Sequence, residues 1–168
     1  MNTTTAASPP VADGRPQPVA AEVERVIAAS PQRLYDLVTD VTRMGEWSPE
    51  TTSARWVKGA THAEVGARFT GTNRLGKNSW STTPEVVVAE RGTEFTFKVP
   101  GKSGPRWSYR FEQVDGGTLV TESVQQDRRS PAPIRWLQRR AGVTDRSAHL
   151  ADGMAVTLDR LALVAETN

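Results

Sequence analysis

Few side chains in this sequence have the types and spacing that a catalytic or metal site requires. The two histidines, His62 and His149, lie far apart, and only Glu64 stands near His62 at a metal-ligand spacing. The chain has no cysteine, which excludes disulfides, thiol nucleophiles and Cys-ligated metals. We therefore expect neither a metal nor a cofactor. His149 could face the mouth of a ligand site, and a packed or surface position is the alternative.

Sequence motifs do not identify residues for acid–base catalysis either. No Ser, His and acidic residue form an identifiable triad, and the GxSxG element is absent. Glu46, Glu112 and Glu122 are candidate carboxylates, but the sequence does not separate them from surface charges. The identity of any catalytic residue is therefore left unknown.

Residues 71–78, GTNRLGKN, match the phosphate-binding P-loop motif at every position except the last. Asn78 stands where Ser or Thr would hold magnesium. Trp80 and Pro84 follow, so no helix N-terminus is present to receive a phosphate. We predict a β-hairpin loop here rather than a nucleotide site.

Residues 127–146 concentrate positive charge. A solvated face is the simplest interpretation, and contact with anionic lipid, an acidic partner or an acidic ligand are alternatives. The net charge of +2 is too small to indicate a nucleic-acid partner, and Trp136 is the one aromatic residue in the segment. The six arginines are Arg128, Arg129, Arg135, Arg139, Arg140 and Arg146.

Length and composition indicate one globular domain. With 168 residues, 37% hydrophobic and 24% charged, the chain can bury a sizeable core. No apolar stretch approaches the roughly 20 residues of a membrane span. Residues 1–20 lack the regions of a secretory signal, and their composition predicts a disordered tail before a domain over 21–168. We expect a cytoplasmic protein.

The elements that would position a site begin with a strand over residues 22–28. Ser30 can cap the following helix, and Pro31 at its first position loses no hydrogen bond. Apolar residues at spacings of three and four predict one buried helix face, which breaks near residues 39–41 into two short helices and ends before Pro49. That face comprises Leu34, Leu37, Val38, Val41 and Met44.

Apolar and polar residues then alternate, as in an antiparallel sheet with one covered face. Pro84 predicts a bulge or a split in the third segment. The six segments are residues 51–58, 67–74, 79–90, 94–99, 106–114 and 118–126.

Helices return at the end of the sequence. Residues 133–140 could form a short helix, and a cap at Thr144 or Asp145 predicts a long one to about Ala165. Gly153 inside it costs about 1 kcal/mol relative to Ala. It would let the helix approach the sheet or leave volume for a ligand. The apolar stripe is Leu150, Met154, Leu158, Leu161 and Ala165.

Three segments resemble bacterial polyketide cyclase/dehydrase-like members of the START/SRPBCC superfamily. They are residues 27–49 (IAASPQRLYDLVTDVTRMGEWSP), 107–123 (WSYRFEQVDGGTLVTES) and 149–161 (HLADGMAVTLDRL), and the likeness extends over residues 22–165. The resemblance implies an α+β helix-grip fold. In that fold a curved antiparallel sheet of six to seven strands wraps a long C-terminal helix, and two short helices follow the first strand.

Members of this superfamily bind lipids, sterols, polyketides, quinones or plant hormones between sheet and helix, and a minority cyclise or aromatise polyketides. The family has no shared catalytic residue, so none is assigned here. We expect binding of a hydrophobic or amphipathic small molecule. Its cavity lining is predicted from apolar positions on the strands and the last helix: Trp56, Phe69, Trp80, Phe95, Phe97, Trp107, Tyr109, Met154 and Leu158.

Two alternatives remain open. A polyketide cyclase or aromatase could act in the same cavity without metal or covalent nucleophile, because a shaped cavity can fold a reactive polyketone while one Arg, Tyr or His polarises an enol. An interaction module could instead dock residues 128–146 on a membrane or an acidic partner. The alternation of apolar and polar residues along the strands also leaves open which sheet face is concave.

Overall fold

The order of the elements follows the periodicity of the sequence. The computed structural model describes residues 19–126 and 131–167. Within them a 3₁₀ turn over Val41–Arg43 joins the first two helices. The strands are β1 (Val19–Ile27), β2 (Thr51–Val57), β3 (Arg68–Leu75), β4 (Asn78–Thr82), β5 (Glu85–Glu90), β6 (Glu94–Lys98), β7 (Arg106–Val114) and β8 (Gly117–Gln126); the helices are α1 (Pro31–Thr39), α2 (Met44–Trp47), α3 (Ala132–Arg140) and α4 (Arg146–Glu166).

The described strands form one curled antiparallel sheet in the order β1-β8-β7-β6-β5-β3-β2. This path of seven strands agrees with the expected helix-grip fold. Pro84 splits the predicted strand over residues 79–90, because proline cannot donate a hydrogen bond to the ladder. The first part becomes β4, which pairs with β3 outside the main path.

The first strand begins earlier than predicted. Val19, Ala20 and Ala21 pair with Gln126, Gln125 and Val124, so the sheet includes residues assigned to the N-terminal tail. The composition of the segment concealed this, because pairing with β8 is a long-range interaction. The rest of the predicted tail, residues 1–18, lies outside the described residues.

The helix starts are capped as the sequence predicts. Ser30 Oγ accepts a hydrogen bond from Arg33 N at 3.3 Å, and Asp145 Oδ1 accepts one from Ala148 N at 3.1 Å. Both caps satisfy N–H groups that the first turn leaves without partners. They fix the points at which α1 and α4 meet the sheet.

The core lies on the concave face, between the sheet and these two helices. From α1, the Tyr35 ring packs on Phe95 and Phe111 at centroid distances of 6.4 and 6.1 Å. The apolar stripe of α4 is buried over its whole predicted length, from Leu150 to Ala165. Because α1 covers the sheet around Phe95, the open space remains beside α2, β3 and the first half of α4.

Candidate functional site

A cavity of about 460 Å³ lies between the concave face of the sheet and α4. The helix contributes one face to it, since Arg146, Leu150, Met154 and Thr157 recur at spacings of three and four. Gly153 lies on the same face and adds no side chain. The remaining wall comes from Met44 of α2 and residues 48–51, from strands β3, β4, β6, β7 and β8, and from Gly76, Pro84, Val99 and Pro105 between strands.

Six of the nine predicted lining residues meet at this wall. Their aromatic and thioether side chains form much of its apolar surface, and the Phe69 and Phe97 rings are in edge contact at 5.1 Å. Trp80, on β4, is partly exposed and contributes the outer part of the wall. The six are Phe69, Trp80, Phe97, Trp107, Tyr109 and Met154.

The structure places the other three away from the cavity wall. Phe95 is fully buried against Tyr35 of α1, and Leu158 is buried one turn beyond Met154. Trp56 packs its ring against Phe69 at 5.6 Å from the neighbouring strand β2. The alternation identified residues that face inward, but it could not show where α1 and α4 close on the sheet.

Glu122 and Tyr109 form a buried polar pair on the cavity wall. They lie directly opposite each other on β8 and β7, and Tyr109 Oη donates a hydrogen bond to Glu122 Oε1 at 2.7 Å. Glu122 is 2% exposed, and its second oxygen, Oε2, has no hydrogen-bond partner within the described part of the chain. The pair presents one unsatisfied carboxyl oxygen in an otherwise apolar region.

Burial determines the protonation of this pair. It raises the pKa of Glu122 to about 8, although the hydrogen bond from Tyr109 acts in the opposite direction. Burial and the Glu122 carboxyl also raise the pKa of Tyr109 well above its usual value of 10.0. Near neutral pH the neutral form of Glu122 is therefore favoured, so the site holds an acid that can donate a hydrogen bond or a proton.

A second polar group lies at the start of α4. Arg146 holds Glu50 with two hydrogen bonds, Nη1 to Oε1 at 2.6 Å and Nη2 to Oε2 at 3.0 Å, while His149 Nε2 lies 3.1 Å from Glu50 Oε1. All three line the cavity and are partly exposed. They connect the segment after α2 to α4 at the exposed end of the cavity.

The three candidate carboxylates have different environments. Glu46 forms a surface ion pair with Arg43, and Glu112 is exposed on β7. Only Glu122, of the three, lines the cavity. Its position could have been recognised, because it stands in phase with the apolar Val120 and Val124, where a surface acid is not expected. Glu50 was missed, since its partners lie 96 and 99 residues away.

The two remaining motifs lie in a loop and a hairpin. His62 and Glu64 are exposed and 3.9 Å apart, and the described residues contain no group of three His, Cys, Asp or Glu side chains arranged to hold a metal. Residues 71–78 form the β3–β4 hairpin, as predicted. Within residues 19–126 and 131–167, no helix is both long and apolar enough to cross a membrane.

The arginines of the arginine-rich segment differ in their environments. Arg128 and Arg129 lie outside the described residues, and Arg146 is held by Glu50. Arg139 and Arg140 are exposed on α3. The apolar residues of that helix are exposed too: Ile134 at 47%, Trp136 at 52% and Leu137 at 38%.

Comparison with known proteins agrees with the fold. A family model described as polyketide cyclase / dehydrase and lipid transport matches residues 18–166. The Polyketide_cyc-like protein Cgl2372 from Corynebacterium glutamicum is 33% identical, with a TM-score of 0.50 over 89% of this chain and 85% of that one.

More distant solved structures share the fold. Major latex-like protein 151 from Panax ginseng is 15% identical, with a TM-score of 0.65 over 87% of this chain and 96% of that one. The di-domain ARO/CYC StfQ of the steffimycin biosynthetic pathway is also 15% identical, with a TM-score of 0.65 over 89% of this chain and 51% of that one. None of the curated proteins matches the sequence. The resemblance seen in the sequence is confirmed: the chain belongs to the polyketide cyclase / dehydrase and lipid transport family.

Proposed function

We propose that this protein binds a hydrophobic or amphipathic small molecule in the cavity between the sheet and α4. The observation that carries the proposal is the cavity itself, about 460 Å³, whose wall combines aromatic and aliphatic side chains with polar and charged ones. Protein interiors are close-packed, and voids larger than a water molecule are few. Space of this size and character is typical of ligand sites. The family description, which includes lipid transport, supports the same function.

Filling the cavity from α4 tests this proposal. A Cβ at Gly153 would lie 3.5 Å from Pro49 Cγ, an ordinary contact, so Gly153→Ala should leave the cavity almost unchanged. Gly153→Leu should fill it while keeping a good helix former. In titrations with the neutral fluorescent probe N-phenyl-1-naphthylamine, we expect Gly153→Ala to bind within about twofold of the wild type and Gly153→Leu at least about tenfold more weakly. Equal binding by all three folded proteins would contradict the proposal.

A second candidate is ring closure of a poly-β-ketone held in the same cavity. An aldol closure joins an enol carbon to a carbonyl carbon and moves one proton to the new alkoxide, so it requires no oxidant or cofactor. The observation that favours it is Glu122, a buried acid on the cavity wall whose pKa of about 8 suits proton transfer near neutral pH.

The assay for this candidate compares product formation from a poly-β-ketone with and without protein. Acceleration over buffer that is lost in both Glu122→Gln and Gly153→Leu would support catalysis in the cavity. A rate equal to that in buffer, measured with protein that binds the substrate, would contradict catalysis and leave ligand binding as the function.

We also propose that α3 docks on an anionic lipid surface. Its exposed Ile134, Trp136 and Leu137 stand beside Arg139 and Arg140, and the Arg140 guanidinium lies 4.7 Å from the Trp136 ring centroid. A basic helix with exposed apolar side chains suits the interface of an anionic bilayer. Because α4 begins six residues after α3 ends, docking would bring the Arg146 end of the cavity close to lipid.

Vesicle sedimentation tests this surface. The double reversal Arg139→Glu with Arg140→Glu should abolish binding to phosphatidylglycerol-containing vesicles, and Trp136→Ala should weaken it. The control, Arg55→Glu with Lys58→Glu, makes the same charge change at exposed residues near the end of β2. Sedimentation of the α3 variants equal to that of the control would overturn the assignment, as would binding of the wild type to an acidic protein but not to the vesicles.

A further inference from the structure

Glu122 Oε2 is an exception to the pairing of buried polar groups. Within the described residues it is the buried side-chain nitrogen or oxygen atom that lacks a hydrogen-bond partner. Native proteins pair nearly all such atoms, because an unpaired one loses its hydration without compensation. Glu122 is also part of the cavity wall, so an atom of a bound molecule could complete its hydrogen bonding.

The neighbours of Glu122 determine which kind of ligand atom can form a hydrogen bond with Oε2. Val23 lies opposite it on β1, and Val120 and Val124 flank it on the same face of β8; all three are buried and apolar. No hydrogen bond or ion pair joins Glu122 to a cationic side chain among the described residues. The surroundings therefore favour the neutral acid over the carboxylate.

The hydrogen bond from Tyr109 favours one orientation of this neutral acid. Tyr109 Oη donates to Oε1, so Oε1 acts as the carbonyl oxygen of the carboxyl group. The proton is then carried by Oε2, the atom without a partner. Glu122 consequently offers a hydrogen-bond donor, and a bound molecule must supply an acceptor.

We propose that the ligand places a neutral carbonyl oxygen, of a ketone or an ester, against Glu122 Oε2 at the buried end of the cavity. This inference rests on the proposed binding function and adds the chemical class of the ligand. A pure hydrocarbon leaves the donor unsatisfied. A carboxylate would lose its hydration among Val23, Val120 and Val124, where no contact within the described residues supplies a cationic partner, and that loss is costly.

A matched pair of fluorescent probes tests the inference. The ketone 6-propionyl-2-(dimethylamino)naphthalene is compared with 6-propyl-2-(dimethylamino)naphthalene, which lacks only the carbonyl oxygen. We expect the wild type to bind the ketone at least about tenfold more tightly than the propyl compound, since a buried donor discriminates strongly against a ligand without its acceptor. The emission of the bound ketone should show the red shift of a hydrogen-bonded carbonyl.

Two substitutions distinguish the effect of the hydrogen-bond donor from the effect of side-chain volume. Glu122→Gln keeps an N–H donor beside Tyr109 and should retain most of the preference for the ketone. Glu122→Met has a similar volume and no donor, so it should bind both probes with nearly equal affinity and lose the red shift. Circular dichroism and thermal melting verify that both variants fold.

The outcomes distinguish this inference from the proposed function. Equal wild-type affinity for the two probes, or an undiminished ketone preference in Glu122→Met, would overturn the carbonyl assignment while leaving binding in the cavity intact. Failure of the wild type to bind either probe, together with N-phenyl-1-naphthylamine binding that is insensitive to Gly153→Leu, would overturn both.

Discussion

At the residue scale, Glu122 is an acid that is buried, which is unfavourable, and that also faces the cavity. An acid on the inner face of β8 reduces stability above the pH at which the unfolded chain ionises it, and an apolar residue there would pack without that penalty. Its retention beside Tyr109 is consistent with a role in recognising the ligand, since the hydroxyl orients the carboxyl group. The same burial gives the folded protein a characteristic dependence on pH.

Stability should fall as the pH rises through the range in which the unfolded chain ionises Glu122 and the folded protein does not. The folded pKa is about 8 and the ordinary value is 4.5, so the folded state binds more protons between them. Linkage then predicts that the free energy of unfolding decreases by roughly 4 kcal/mol from pH 5 to pH 9 through this group. Urea unfolding measures it. Glu122→Gln should lack this component, and a parallel decrease in both proteins would contradict the assignment.

The ion pair between Glu50 and Arg146 should stabilise the fold more than its surface counterpart. Glu50→Gln leaves a partly buried arginine without its counter-charge, and we expect a loss of about 1–2 kcal/mol in the free energy of unfolding. Glu46→Gln is the matched control, because Glu46 makes the same two-point contact with Arg43 on the surface. Denaturant midpoints at pH 7 compare the two variants. A larger effect of Glu46→Gln would contradict the difference in environment.

At the scale of the elements, α4 carries a glycine where helix propensity disfavours one. Gly153 lies in the middle of the helix on its cavity face, and a methyl group there meets only Pro49 Cγ at 3.5 Å. Gly153→Ala should therefore raise the free energy of unfolding by about 1 kcal/mol. Thermal and urea unfolding would show it. A destabilised Gly153→Ala protein would mean that α4 and Pro49 have no room for the methyl group.

Most of the elements could be predicted because their signals are local. Ser30 and Pro31 begin α1, alternation identifies the strands, and Pro84 separates β4 from β5 as expected. The start of β1 at Val19 was missed, since its pairing partners lie in β8, about 100 residues later. The exposed apolar residues of α3 were not recognised either, because the spacing of residues in a helix does not show which face packs against the rest of the protein.

At the scale of the whole molecule, the candidate site depends on contacts that the sequence order conceals. Inward-facing residues such as Phe69 and Phe97 could be identified from strand alternation. The exclusion of Phe95 and Leu158 from the cavity wall follows from where α1 and α4 close on the sheet, which is a property of packing. The Tyr109–Glu122 and Glu50–Arg146 pairs likewise require the register of the sheet and the docking of α4.

Binding inside the cavity is the central claim, and methyl NMR tests it most directly. The chain has three methionines, of which Met44 and Met154 line the cavity and Met1 lies outside the described residues. With protein labelled at the methionine methyl carbons and N-phenyl-1-naphthylamine bound, we predict intermolecular NOEs from the probe rings to the Met44 and Met154 methyl groups. A bound probe without NOEs to Met44 and Met154 would contradict the account.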